Sequence, residues 1–200
     1  MSDAPLLGLV LGGGQSRRMG RDKSALVYHG KPQILHTYEL LRDVGIEAFV
    51  SCRADQSESE GFQGLPQIHD RFLGFGPMGG ILSALLTHRD SAFLVLACDL
   101  PFLDAESISA LIASRDTSKI STAYLSPEGL PEPLCAIYEP SAYSELLGFV
   151  GQGLHCPRKA LIRSDIHGVV PENVHVLANI NRPEEYEAAR DILGKNNRED

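Results

Sequence analysis

Apolar and polar positions alternate in blocks along this chain, and each block predicts an element. Leu6 to Leu11 is a short apolar run that ends in glycines, the pattern of a buried strand. From Pro32 to Val44 the apolar residues Ile34, Leu35, Tyr38 and Leu41 recur at helical spacing, with Pro32 suited to a first turn and Gly45 to a stop. Ile46 to Ser51 predicts a second strand, residues 53–64 a polar loop, and Leu65 to His69 a short strand. The glycine-rich stretch "DRFLGFGPMGG" leads into a helix from about Met78 to Thr87. "SAFLVLACDLP" is the clearest buried strand and terminates at Asp99; Asp104 can then cap a helix running to Ser114. "KISTAYLS" and "PLCAIYEP" predict a pair of strands, followed by helices near 140–149 and 157–163, a short strand at 173–177, a loop and a closing helix, with the last six or so residues a frayed tail. No repeat or linker interrupts the pattern. Strands alternating with helices predict a single α/β domain over residues 1–200, with helices on both faces of a sheet. In such sheets ligands bind beyond the carboxyl ends of the strands. Two glycine-rich loops and one aspartate fall there.

Composition narrows the function. The chain carries 18 Lys+Arg against 26 Asp+Glu, a formal net charge of −8. That balance argues against a nucleic-acid footprint and against an anionic membrane surface. The first charge is Asp3, and no apolar run reaches membrane length, so neither a signal peptide nor a span is expected. Cys52, Cys98, Cys135 and Cys156 stand far apart without a C-x-x-C pair, which suits small buried or half-buried residues in a reducing cytoplasm. The histidines form no H-x-x-x-H pair, so no zinc site is expected.

Against this acidic background, "LGGGQSRRMGRDK" at residues 11–23 concentrates Arg17, Arg18, Arg21 and Lys23 with only Asp22 opposing. Glycines after a strand let backbone N–H groups approach a ligand closely, and such groups favour phosphate oxygens. The local charge points to a polyphosphate. Two common phosphate loops do not fit. Gly14 to Gly20 is one residue too long for a Walker A loop, with Arg21 where its lysine should stand. Arg17 occupies the third glycine position of a dinucleotide fingerprint begun at Gly12.

The loop resembles the signature of the molybdenum cofactor guanylyltransferases, enzymes that attach a nucleoside monophosphate to molybdopterin and whose usual form is L-A-G-G-x-S-x-R-M-G-x-D-K. The resemblance continues through "GKP" at 30–32, "GPMGG" at 76–80, "CDLP" at 98–101 and "NINRPEEY" at 179–186, in the same order. It implies a three-layer α/β/α fold with a Rossmann-like, mostly parallel mixed sheet of the nucleotide-diphospho-sugar transferase type. The implied substrates are GTP and molybdenum-bound molybdopterin, with Mg²⁺ as cofactor. Proteins of molybdenum insertion and molybdoenzyme chaperones are the implied partners. Leu11, Gly12, Gly13 and Gly14 would hold the nucleotide, and Arg17 and Lys23 would neutralise its phosphates. Gly12 stands where the family usually has alanine, a change expected to cost little beyond loop stiffness.

Asp99 ends an apolar strand and can hold Mg²⁺, a hard cation that prefers oxygen ligands; its ordinary alternative is a turn or helix cap. Guanine presents N1–H and an amine, both donors, so its reader must offer acceptors. By resemblance Asp70 and the Gly76-Pro77 loop contribute to nucleotide binding and favour GTP over CTP. Asn179 and Asn181 could face one site in an extended piece, near metal and phosphates by resemblance. Arg158 and Lys159 fall in the first turn of a helix, where the dipole disfavours cations; a bound phosphate or surface solubility would account for them. By resemblance Glu132 falls in the region that faces the acceptor, and it is given no role. A CTP- or sugar-phosphate-using relative on the same fold, and a non-catalytic nucleotide-binding protein, remain the alternatives.

Overall fold

The computed structural model describes residues 3–12, 27–59, 61–180 and 183–196. These residues form a seven-stranded sheet: β1 (Leu6–Leu11), β2 (Ala48–Cys52), β3 (Gln67–His69), β4 (Ala92–Ala97), β5 (Ser121–Leu125), β6 (Pro131–Tyr138) and β7 (Ile166–Val169). Across the sheet the order is β3-β2-β1-β4-β6-β5-β7. β1 is parallel to β2 and β4, β2 to β3, and β5 to β7; β6 alone runs antiparallel to its neighbours β4 and β5. The sheet is therefore mixed and mostly parallel.

Six helices cover it: α1 (Gln33–Asp43), α2 (Pro77–Thr87), α3 (Ala105–Ala113), α4 (Ala142–Gly151), α5 (Pro157–Ile162) and α6 (Pro183–Asn196). Side-chain alternation along the strands decides which face each helix takes. Val10, Leu94 and Leu96 pack with Ile34 and Leu41 of α1 and with Ile108 and Leu111 of α3. Leu7, Leu9, Phe93 and Val95 face the other way, onto Met78, Ile81 and Leu85 of α2, Leu146 of α4 and Leu161 of α5. Three layers result. β4 is buried at every position, which is why it reads as an unbroken apolar run. Gly8 lets α1 come close, because a methyl group there would meet the Leu41 side chain at 2.8 Å.

Most predicted elements stand within a residue or two of their expected bounds. Asp104 caps α3 as expected, its carboxylate accepting from Ser107 N at 2.8 Å. The strand expected at 173–177 is instead a 3₁₀ turn, Val174–Leu177. There the Asn173 side chain accepts from His175 N at 3.0 Å and tightens the chain into a turn, although Val174, Val176 and the residues between them alternate like a strand. The seventh strand comes earlier, at Ile166–Val169, where pairing with β5 rather than its own pattern makes it a strand. Residues 53–64, expected as polar loop, hold a 3₁₀ turn at Ala54–Gln56 and bury Phe62 in the core. Among the cysteines, Cys52, Cys98 and Cys135 are buried and Cys156 is exposed, and none is joined in a disulfide. Among the described residues no helix is long and apolar enough to cross a membrane.

Candidate active site

The parallel strands β1 to β4 end on one edge of the sheet, and four sequence-predicted residues gather there. Leu11 closes β1. Beside it Ser51, on β2, donates its hydroxyl to Asp70 Oδ1 at 2.6 Å. Asp70 follows β3, and its backbone N–H is held by Cys52 O at 2.9 Å. Burial pushes the Asp70 carboxyl above the ordinary aspartate value, with the Ser51 hydroxyl and the Arg53 charge opposing that rise. One acceptor oxygen is thus pinned by Ser51 on a half-desolvated carboxylate, leaving the other available to a donor. Ser51 was not singled out from sequence. The signal that could have found it is the one that found Asp99: a polar residue at the end of an apolar strand.

The Gly76-Pro77 loop reaches the same place. Gly76 precedes α2 with φ 55° and ψ −137°, backbone that a side chain would strain, and Pro77 opens the helix. Gly79 and Gly80 then let the first turn of α2 lie on the strand ends. A methyl group on Gly79 would sit 2.2 Å from Phe72 O. On Gly80 it would sit 2.6 Å from Ser51 Oγ and 2.7 Å from Leu11 Cδ2. Leu11, Ser51, Asp70 and α2 therefore form one contact group.

Gly12 continues β1 toward the glycine-rich loop, its N–H 3.4 Å from Ser51 O. At Gly12 the neighbouring side chains occupy the volume where an alanine methyl would lie. An ideal Cβ on Gly12 would lie 2.5 Å from Ile34 Cδ1 and 2.9 Å from two ring carbons of Phe62. The space of the missing methyl is filled. Gly13, Gly14, Arg17 and Lys23 lie outside the described residues, as do Arg18, Arg21 and Asn181. The chain is again described from Val27, which bridges to Pro32 and whose carbonyl accepts from Tyr186 Oη at 3.0 Å.

Asp99 lies just past the end of β4, in the turn before Pro101. Its carbonyl accepts from Ile180 N at 3.0 Å, which brings the Asn179 segment alongside it. The Asp99 charge also helps raise the pKa of Tyr28, after burial and Tyr186, and that of Glu132, after burial. Tyr28, Ile180 and Ala189 form a small apolar cluster of their own, with Phe102 and Tyr186 against it. Arg158 and Lys159 are parted by the fold. Arg158 Nη2 donates to Glu132 Oε2 at 2.5 Å, whereas Lys159 is exposed.

No group of three or more His, Cys, Asp or Glu among the described residues could cage a metal. A lone carboxylate such as that of Asp99 is a donor that suits Mg²⁺, which is typically bound by one or two carboxylates plus substrate phosphates and keeps several waters. Asp99 supplies a hard oxygen donor at the strand-end edge.

Comparison with known proteins agrees with this architecture. Residues 8–168 match the MobA-like NTP transferase domain. A molybdenum cofactor biosynthesis bifunctional protein of Synechocystis is 39% identical over 187 residues, covering 93% of this chain. The chain spans 54% of that relative's length. A molybdenum cofactor guanylyltransferase of Pseudomonas putida is 29% identical over 184 residues, 88% of this chain and 93% of its own. The crystal structure of molybdopterin-guanine dinucleotide biosynthesis protein A from Archaeoglobus fulgidus superposes with a TM-score of 0.78 at 26% identity, covering 94% of this chain and 98% of that one. A parallel strand edge carrying Leu11, Ser51, Asp70 and Asp99, and a matched domain spanning five of the seven strands in full and parts of the first and last, make this chain a member of the MobA-like NTP transferase family, a nucleotidyltransferase.

Proposed function

We propose that this chain transfers GMP from GTP to the terminal phosphate of molybdenum-bound molybdopterin, giving the guanine dinucleotide form of the cofactor and pyrophosphate. The observation that carries the guanine assignment is the Asp70 carboxylate, pinned by Ser51 against the first turn of α2. Guanine offers N1–H and N2–H as neighbouring donors, and a fixed carboxylate is their natural acceptor. Cytosine's pairing edge has only one donor group.

A phosphate oxygen of the pterin attacks the α-phosphorus of GTP. The new P–O bond forms as the bond from the α-phosphorus to the bridging oxygen breaks, and pyrophosphate leaves with the electron pair. The attacking phosphate is already ionised near neutral pH, so no general base is required. Catalysis then rests on positioning and charge neutralisation. In this reading the backbone N–H groups of residues 12–14 hold the nucleotide, and Arg17 and Lys23 neutralise its phosphates. Asn179, beside Ile180, and Asn181 serve the metal and phosphates, and Asp99 provides the carboxylate for Mg²⁺. The chemistry a bound Mg²⁺ supplies is neutralisation of charge on the leaving pyrophosphate. The reaction is assigned to the whole of residues 1–200 as one domain working in the cytoplasm, exchanging its product with molybdenum-insertion and molybdoenzyme-chaperone proteins.

Two measurements test this. Calorimetry with Mg²⁺ is expected to give GTP binding at least about tenfold tighter than CTP, the scale of losing one well-made hydrogen bond to a charged group. Pyrophosphate release is expected from GTP only when molybdopterin is present. Equal affinity for CTP would end the guanine assignment. Pyrophosphate release that ignores the pterin would end the acceptor.

A further inference from the structure

Glu132 and Arg158 form a charged pair for which the nucleotide reading has no use. Glu132 is the second residue of β6 and is only 5% exposed. Its Oε2 accepts from Arg158 Nη2 at 2.5 Å. Arg158 reaches it from the first turn of α5 with 42% of its side chain still exposed, against 7% for the Glu132 side chain. The Arg158 Nε is buried and has no hydrogen-bond partner.

The pair stands on the nucleotide edge of the sheet because β6 is antiparallel. Leu94 pairs with Ile137, Val95 with Ala136 and Leu96 with Cys135. The same register carried on sets Asp99 opposite Glu132, and the repulsion of Glu132 by Asp99 agrees with that placement. Two carboxylates thus approach each other where β4 ends and β6 begins, and one guanidinium bridges outward from them.

For stability alone this arrangement is a poor choice. A desolvated carboxylate is costly, and apolar residues of similar size would serve as well or better. The arrangement does fix an arginine. Holding one Nη by a buried acceptor removes most of the rotamer freedom of a long side chain. The guanidinium has further N–H donors beyond the one that Glu132 takes, and 42% of the side chain is exposed. A fixed guanidinium with spare donors, half open beside Asp99, suits a phosphate monoester.

We propose that Glu132 is a positioning residue that holds the Arg158 guanidinium at the acceptor side of the crevice, where Arg158 receives the phosphate monoester of the second substrate. This rests on the guanylyl-transfer reading and adds to it the group that receives the acceptor's phosphate.

The test uses the full chain and the variants Glu132→Gln, Glu132→Ala, Arg158→Ala and Arg158→Lys, the double Glu132→Ala/Arg158→Ala, and Arg163→Ala as a control on the same helix. Pyrophosphate release is followed while molybdopterin and GTP are varied separately. Glu132→Gln is expected to raise the KM for molybdopterin about tenfold, and Arg158→Ala at least as much, with the KM for GTP within about twofold of the parent. Arg158→Lys should recover only part of the loss, since lysine lacks the fork. The double variant should be no worse than Arg158→Ala, because Glu132 acts only through Arg158. Arg163→Ala should match the parent. Should Glu132→Ala fail to fold, Glu132→Gln, isosteric and still an acceptor, carries the comparison.

A second readout does not depend on turnover. Line broadening of the ³¹P signal of inorganic phosphate, in the presence of a non-hydrolysable GTP analogue, should be strong for the parent and weak for Arg158→Ala and Glu132→Gln. Equal broadening in parent and variants overturns the proposal, and so does a parent-like KM for molybdopterin in Glu132→Gln. If no acceptor supports pyrophosphate release in the parent while the phosphate signal still depends on Arg158 and Glu132, the guanylyl reading fails and the anion site stands.

Discussion

At the scale of single residues, Gly12 shows how one missing methyl group ties a loop to the core. Ile34 Cδ1 and the Phe62 ring occupy the volume an alanine side chain would need. Gly12→Ala should therefore destabilise by about 1–3 kcal/mol, the usual cost of overpacking. Pairing it with Phe62→Leu should recover much of that loss by opening the space again. Urea unfolding of the two single variants and the double checks both statements, and a Gly12→Ala protein as stable as the parent would mean that the neighbours shift freely. Phe62 also marks a limit of sequence reading. It lies in a polar stretch with no periodicity, so nothing local announced that its ring would be buried against β1 and α1. The reading of the glycine-rich loop rests on its run of glycines and cations after an apolar strand, and Gly13 to Lys23 lie outside the described residues.

At the scale of elements, the end of β3 is the informative one. Asp70 is held there in a partly desolvated setting whose burial raises its pKa. The neutral form is thus less disfavoured in the folded chain than in the unfolded one. Stability from this group is complete below the ordinary aspartate pKa and declines as pH rises through the raised folded value. Asp70→Asn should remove that decline: without ligand its Tm at pH 7 should exceed the parent's by a few degrees, and the difference should vanish in acid. GTP affinity should fall about tenfold or more in the same variant, because a charged acceptor is lost. Scanning calorimetry across pH, with a GTP titration on the same preparation, reads both effects. A variant less stable than the parent at neutral pH would show that the Ser51–Asp70 bond outweighs the burial cost. β3 itself was legible only in outline, since three residues carry too little pattern. β7 was missed and 173–177 misassigned for a related reason: short segments take their conformation from a partner strand or a capping side chain rather than from their own alternation.

At the scale of the molecule, Arg115 and Glu139 join three parts of the fold. Arg115 donates from Nε to Glu139 Oε1 at 2.7 Å and from Nη2 to Glu139 Oε2 at 2.8 Å. Nη2 also donates to Ala4 O at 2.9 Å, so the segment before β1, the exit of α3 and the exit of β6 meet at one guanidinium. Both side chains are largely buried. Glu139→Ala should cost about 3–5 kcal/mol by stranding the arginine, which lowers Tm by roughly 10 °C in a chain of this size. The parent's nucleotide affinity should be unchanged at temperatures where the variant is folded. The overall three-layer plan needed none of these particulars to be read from sequence. It follows from the order of apolar blocks alone, because buried parallel strands separated by amphipathic helices have few ways to pack. The pairing order across the sheet was not legible, since it depends on contacts between segments far apart in the chain, whereas the β5–β6 pair is local and was expected from sequence.

The reversal of β6 separates the two halves of the reaction by architecture. β1 to β5 bring their carboxyl ends to the edge where Ser51, Asp70 and Asp99 stand, and the connections that lead from β1 through to β5 are long crossings. β6 brings its beginning there instead, fed by the tight Ser126–Leu130 turn, where Ser126 N is 2.8 Å from Leu130 O. A hairpin tip can be lengthened, shortened or exchanged without moving the strands beneath it. On the proposed assignment, a change of acceptor needs only a few residues around 126–132, whereas a change of base must alter several loops at once. On this plan a lineage can diversify what it nucleotidylates while its choice of nucleoside triphosphate stays the same.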